Sequence, residues 1–147
     1  TPSNSAAKQP AKPVSRSGND NIRAFQKWMN STYGWAMTED GISGPDTRKH
    51  AVMALQTELN KQFGKGLAVD GAFGNKTYAA CVSVKENARG NITRIIQGML
   101  YCKGYDPHGF DGIFGAGCAK AVRAFQTNNG LAPDAVAGKN TFRKLMA

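Results

Sequence analysis

From residue 20 onward, stretches with apolar residues every three or four positions alternate with short polar stretches rich in glycine. Ile22, Phe25, Trp28 and Met29 fall on one face of a helix that is expected to follow Asp20 as its N-cap and close near Tyr33 and Gly34. A second helix is predicted after Gly44. Pro45 takes its first position, where a missing N–H costs nothing, and Val52, Leu55 and Leu59 run along one face to a stop at Gly64. A short third helix follows Gly74, with Tyr78, Ala79 and Val82 expected to face inward. The order then returns. Ile92, Ile95, Ile96 and Met99 form an apolar stripe ending at Gly104, Ala121, Val122 and Phe125 form another ending at Gly130, and Phe142, Leu145 and Met146 complete the set. No Val- or Ile-rich alternation is long enough for a sheet, although the turns have room for brief extended pieces. The expected fold class is all-α.

The pattern divides the chain at residues 1–18, 19–84, 85–90 and 91–147. Residues 1–18 hold three prolines, four serines and one strongly apolar residue, Val14, too little to offset the entropy of ordering, so they read as a disordered linker. Two three-helix modules follow, separated by the polar connector 85–90. A linker ahead of the first helix, and Thr1 in place of an initiator Met, give the expectation of a fragment whose upstream part is another domain.

Four segments share one signature, each standing before a helix: Asp40-Gly-Ile-Ser-Gly-Pro-Asp-Thr47, Asp70-Gly-Ala-Phe-Gly-Asn-Lys-Thr77, Asp111-Gly-Ile-Phe-Gly-Ala-Gly-Cys118 and Asp134-Ala-Val-Ala-Gly-Lys-Asn-Thr141. The Asp carboxylate accepts backbone N–H bonds of a tight turn, and the glycine after it (Gly41, Gly71, Gly112) takes positive φ without penalty. An apolar residue (Ile42, Phe73, Phe114, Ala137) is expected to plug the core, and the second glycine, Gly138 in the last copy, lets the chain enter the next helix closely. Cys118 stands where the other copies have Thr, and Ala135 where they have Gly; both substitutes are small, which points to packing as the constraint. Further matches precede the internal copies: Ala54-Leu55-Gln56 beside Ala124-Phe125-Gln126, and Gly66-Leu67-Ala68 beside Gly130-Leu131-Ala132.

Asp111-Gly-Ile-Phe-Gly, Ala121-Val122-Arg123-Ala124-Phe125-Gln126, Asn129-Gly130-Leu131 and Gly138-Lys-Asn-Thr-Phe142 together resemble the peptidoglycan-binding module found beside bacterial and phage cell-wall hydrolases. The resemblance runs from about residue 20 to 147 and implies two tandem three-helix bundles. It also implies noncatalytic adhesion to glycan strand or stem peptide, in the service of an upstream lytic domain on the same chain, as in an endolysin or autolysin. The site of action is then the bacterial cell wall, reached by secretion or by lysis. The first module departs from the family pattern, with Trp35 to Glu39 in place of a short Gly-Tyr link and a second helix lengthened over Asn60 to Lys65.

The formal charge of +9 adds attraction to polyanions without choosing among nucleic acid, anionic lipid and wall polymers. A basic helical nucleic-acid-binding protein is the competing reading, but neither third helix opens on a cluster of Arg, Lys, Asn and Gln suited to reading bases, which disfavours a nucleic-acid partner. No run of apolar residues is long enough for a membrane span. The ten carboxylates are spread singly, and His50 and His108 have no metal-ligand spacing, so neither catalytic residues, a metal nor a cofactor is expected. Cys81, Cys102 and Cys118 lack CxxC spacing; buried thiols are the default, and a Cys102–Cys118 bridge stays open.

A surface for wall polymer combines aromatic rings with amide and guanidinium donors. Trp28, Tyr33, Trp35, Tyr101 and Tyr105 are the aromatic candidates, of which Trp28 reads as core. Arg123, Gln126, Asn128 and Asn129 gather at the end of the fifth helix, as either a polar rim for ligand or an ordinary solvated face. The signature aspartates Asp40, Asp70, Asp111 and Asp134 read as turn scaffold.

Overall fold

The computed structural model describes residues 19–147, so the linker expected over 1–18 lies outside the described residues. Among the described residues, six helices account for the architecture: α1 (Asp20–Tyr33), α2 (Pro45–Phe63), α3 (Asn75–Ala80), α4 (Asn91–Cys102), α5 (Ala116–Asn128) and α6 (Lys139–Leu145). The all-α expectation holds. Asn19, one residue earlier than expected, caps α1 by accepting from the N–H groups of Asn21 and Ile22, leaving Asp20 as a first-turn acid that the helix dipole favours. Gly34 and Gly64 end α1 and α2 in the left-handed conformation. Gly74, Gly115 and Gly138 open α3, α5 and α6 with the same φ of −95°, the backbone mark of a repeated turn.

One connected core runs through both sets of helices, from Phe25, Met29, Leu55 and Leu59 to Ile95, Ile96, Phe125 and Phe142. Its centre is α4, which packs on α1, α2, α5 and α6. The residues of α4 explain this position. Ile92, Thr93 and everything from Ile95 to Leu100 are buried, and a helix buried nearly all round belongs inside. Gly98 allows the closest approach: Phe25 of α1 lies directly against its backbone.

The chain between the two sets is tied down on both sides. Val84 and Ala137 exchange backbone hydrogen bonds of 3.0 and 2.7 Å, and Phe114 is paired with Asn87 and Ala88 at 2.8 Å. These are the brief extended pieces; among the described residues they stay isolated bridges, Val84 with Ala137 and Arg89 with Ile113. From α3, the Tyr78 hydroxyl reaches Asn140 Oδ1 of α6 at 2.6 Å. Glu58 of α2 is buried and accepts from Tyr33 Oη, Gln62 and Asn91, so a single carboxylate joins α1, α2 and α4.

Two expectations about facing need correction. Ile42 is 47% exposed and does not plug the core. It occupies the third position of its turn, as Ile113 does, whereas Phe114 and Ala137 occupy the fourth and are wholly buried. In the first copy the fourth position is Ser43, so that turn has no plug. In α3 the buried residues are Thr77 and Ala80; Tyr78 and Val82 are half-buried, and Ala79 is exposed.

Candidate functional site

Each signature turn is locked by a glutamine from the preceding long helix. Gln26 Nε2 donates to Asp40 Oδ1, the Ile42 carbonyl and Thr47 Oγ1 at 2.9–3.2 Å, while its Oε1 accepts from Gly41 N–H at 2.8 Å. Gln56 does the same with Asp70, Ala72, Thr77 and Gly71. Gln126 repeats it with Asp134, Val136, Thr141 and Ala135. Gln97 binds Asp111, Ile113 and Gly112, with the Cys118 thiol in the place of the threonine hydroxyl. Each Asp also accepts, at 3.0 Å, the N–H two residues on. These backbone bonds, then the glutamine bonds, hold the carboxyls of Asp40, Asp70 and Asp111 below the ordinary value. The glutamines were not singled out as a set from the sequence, though the signal was there: Gln precedes Asp by 14 residues in three copies.

The aromatic candidates of the first half come together. Tyr33 and Trp35 stack with centroids 4.8 Å apart, and the His50 ring lies 5.2 Å from Trp35. Both aromatic residues are half-buried. Burial and the hydrogen bond to Glu58 push the Tyr33 hydroxyl well above its ordinary value, fixing it as a neutral donor. Trp28 is half-buried as well, packed edge-on between Tyr33 and Phe110 with the Arg94 guanidinium over its ring.

In the second half, Asn128 donates to Tyr105 Oη at 2.8 Å, and the Tyr105 ring meets Phe125 edge-on. Arg123 is exposed earlier on α5, the helix that also carries Asn128. Asn129 turns inward to cap α5 through the Phe125 carbonyl. Gln126 is 1% exposed and its amide is spent on the fourth turn, so it does not stand in the rim.

A cavity of about 400 Å³ opens beside that fourth turn. Cys81 and Ser83 line it from the chain after α3, and Leu131, Asp134, Lys139 and Asn140 from the turn and α6. Burial pushes the Cys81 thiol up to about 12, which keeps it protonated and a poor nucleophile. Cys81, Cys102 and Cys118 are all free, so the Cys102–Cys118 bridge is not formed. Among the described residues, no group of three His, Cys, Asp or Glu side chains is placed to hold a metal, and no helix is long and apolar enough to cross a membrane.

Comparison with known proteins gives one family, described as "Putative peptidoglycan binding domain", matching residues 89–145. Two similar proteins come from Bacillus subtilis (strain 168). The uncharacterized protein FadG is 35% identical over 133 residues, 82% of this chain and 22% of FadG. The uncharacterized protein YbfG is 35% identical over 137 residues, 88% of this chain and 18% of YbfG. The chain thus spans about a fifth of the length of these curated relatives. No solved structure gives a significant match. With α4, α5, α6 and two of the four locked turns inside the matched segment, residues 89–145 belong to the peptidoglycan-binding domain family.

Proposed function

We propose that the chain is a noncatalytic adhesion unit for bacterial peptidoglycan that holds a lytic catalytic domain of the same polypeptide, as in an endolysin or autolysin, against the wall. The observation that carries this reading is the family match over residues 89–145. Two further features support it. The half-buried stack of Tyr33 on Trp35 offers an apolar face of the kind that sugars cover, and the Tyr105–Asn128 pair offers a ring with an amide beside it. The charge of +9 favours approach to a wall rich in anionic groups.

Retention on purified sacculi at rising salt tests the reading. The chain is expected to stay on sacculi at salt concentrations that strip it from DNA cellulose, because phosphate contacts weaken steeply with salt and sugar or peptide contacts do not. Retention on DNA and not on sacculi would overturn it. Trp35→Ala is expected to reduce retention severalfold without loss of helix content.

A further inference from the structure

The cavity beside the fourth turn has walls from both halves of the chain. Cys81 and Ser83 follow α3, while Leu131, Asp134, Lys139 and Asn140 belong to the fourth turn and α6. Those walls are held in place by the Val84–Ala137 backbone pair and by the Tyr78–Asn140 hydrogen bond. Ser83 Oγ also stands 3.7 Å from where a Cβ on Gly138 would be, so the two walls meet closely at that edge. The volume, about 400 Å³, lies within the range of small-ligand sites.

Its lining chemistry is specific. Asp134 uses only Oδ1 in the turn, and Oδ2 makes no hydrogen bond among the described residues. Lys139 forms no ion pair among the described residues; its ammonium lies 5.4 Å from the Tyr78 ring centroid. An anionic and a cationic side chain, unpaired with each other, therefore share one cavity with an amide, Asn140, and an aliphatic wall of Leu131 and Val136. Among the described residues, no aromatic ring lines it. A sugar ring would find no stacking surface here, whereas a short peptide with small side chains, an ammonium and a carboxylate would find a partner for each group.

We propose that this cavity is one composite site, completed by the first half of the chain, for a short peptide that carries both an ammonium and a carboxylate group. Resting on the wall-binding reading, this names the stem peptide and not the glycan strand as the ligand of the seam. Cys81 and Ser83, outside the family-matched segment, then contribute directly to binding.

The test is calorimetric titration of the whole chain with a synthetic stem tetrapeptide that has an acylated amino end, a free side-chain ammonium and a free terminal carboxylate, and separately with a peptide-free N-acetylglucosamine oligomer. The peptide is expected to bind. Lys139→Met keeps the length of the side chain and removes its charge, and should weaken binding at least tenfold. Ser83→Trp, at an exposed position, fills the cavity from the first-half side and should abolish binding with helix content and thermal midpoint unchanged. Wild-type affinity in both variants would overturn the assignment, and should Ser83→Trp misfold, Lys139→Met alone decides it. Retention on sacculi with no affinity for the peptide would overturn the peptide site and leave wall binding standing. Failure to bind sacculi at all would overturn both.

Discussion

Gly98 of α4 lies against the ring of Phe25 in α1, so closely that a Cβ placed on the glycine would fall 2.3 Å from two ring carbons. Phe25 is wholly buried and its ring cannot swing aside without opening the core. Gly98→Ala should therefore destabilise the fold by about 1–3 kcal/mol, even though alanine is the better helix former by about 1 kcal/mol. Urea unfolding of the variant gives the number. Because Phe25 and Gly98 belong to different halves, the wild type should unfold in one transition, with probes at Trp28 and Tyr105 coincident.

Replacing a turn-locking glutamine tests the lock. Gln126→Leu would leave the Ala135 N–H, the Val136 carbonyl and the Thr141 hydroxyl without their partner in a nearly closed environment. A loss of about 2–4 kcal/mol is expected in denaturant unfolding, from unsatisfied buried polar groups. A change below about 0.5 kcal/mol would show that water replaces the amide freely.

Acid should weaken the fold in a definite window. The carboxyls of Asp40, Asp70 and Asp111 are held below their ordinary 3.8, and that of Glu58 below 4.5, where three side-chain hydrogen bonds outweigh a burial that alone would raise it. The unfolded chain binds protons at the ordinary values, before the folded chain does. The contribution is thus complete above about pH 5 and is lost as pH falls through the lowered folded values. Asp70→Asn keeps an acceptor oxygen and removes the titration. Its unfolding midpoint should fall less between pH 6 and pH 3 than that of the wild type, as followed by circular dichroism in urea.

Ala135 sits at φ 61°, where the aligned residues of the other turns are Gly41, Gly71 and Gly112, all with positive φ. A Cβ in that region costs about 1–2 kcal/mol, and glycine gives back part of the gain through the entropy of the unfolded chain. Ala135→Gly should raise stability by roughly 0.5–1 kcal/mol, seen as a thermal midpoint a few degrees higher. An unchanged or lower midpoint would mean that the Ala135 methyl, which is buried, contributes as much packing as its backbone costs.

What the sequence revealed depended on how local each signal was. Helix stripes and left-handed glycines are written within a few residues, so α1 and α2 could be placed to their closing glycines, Gly34 and Gly64, and the signature turns to theirs. Ile42 misled because it is apolar at a position one residue before the one that faces inward; successive residues of an extended turn point opposite ways. Gln126 looked like a surface donor because its partners follow in a turn whose geometry the sequence does not display. The seam was least accessible. Gly98 on Phe25, Tyr78 on Asn140 and Val84 with Ala137 join residues far apart in the chain, and no periodicity encodes them. The cavity at that seam was hidden for the same reason.

The glutamine lock spans 14 residues in three copies and only 8 in the fourth, yet all four clasp the same turn atoms. The chain between clasp and turn is therefore free to change in length. Trp35 and Tyr105 lie in two of the 14-residue stretches, between a clasping glutamine and its aspartate. Such a plan lets those stretches be lengthened or exchanged without re-solving the packing beneath the turns.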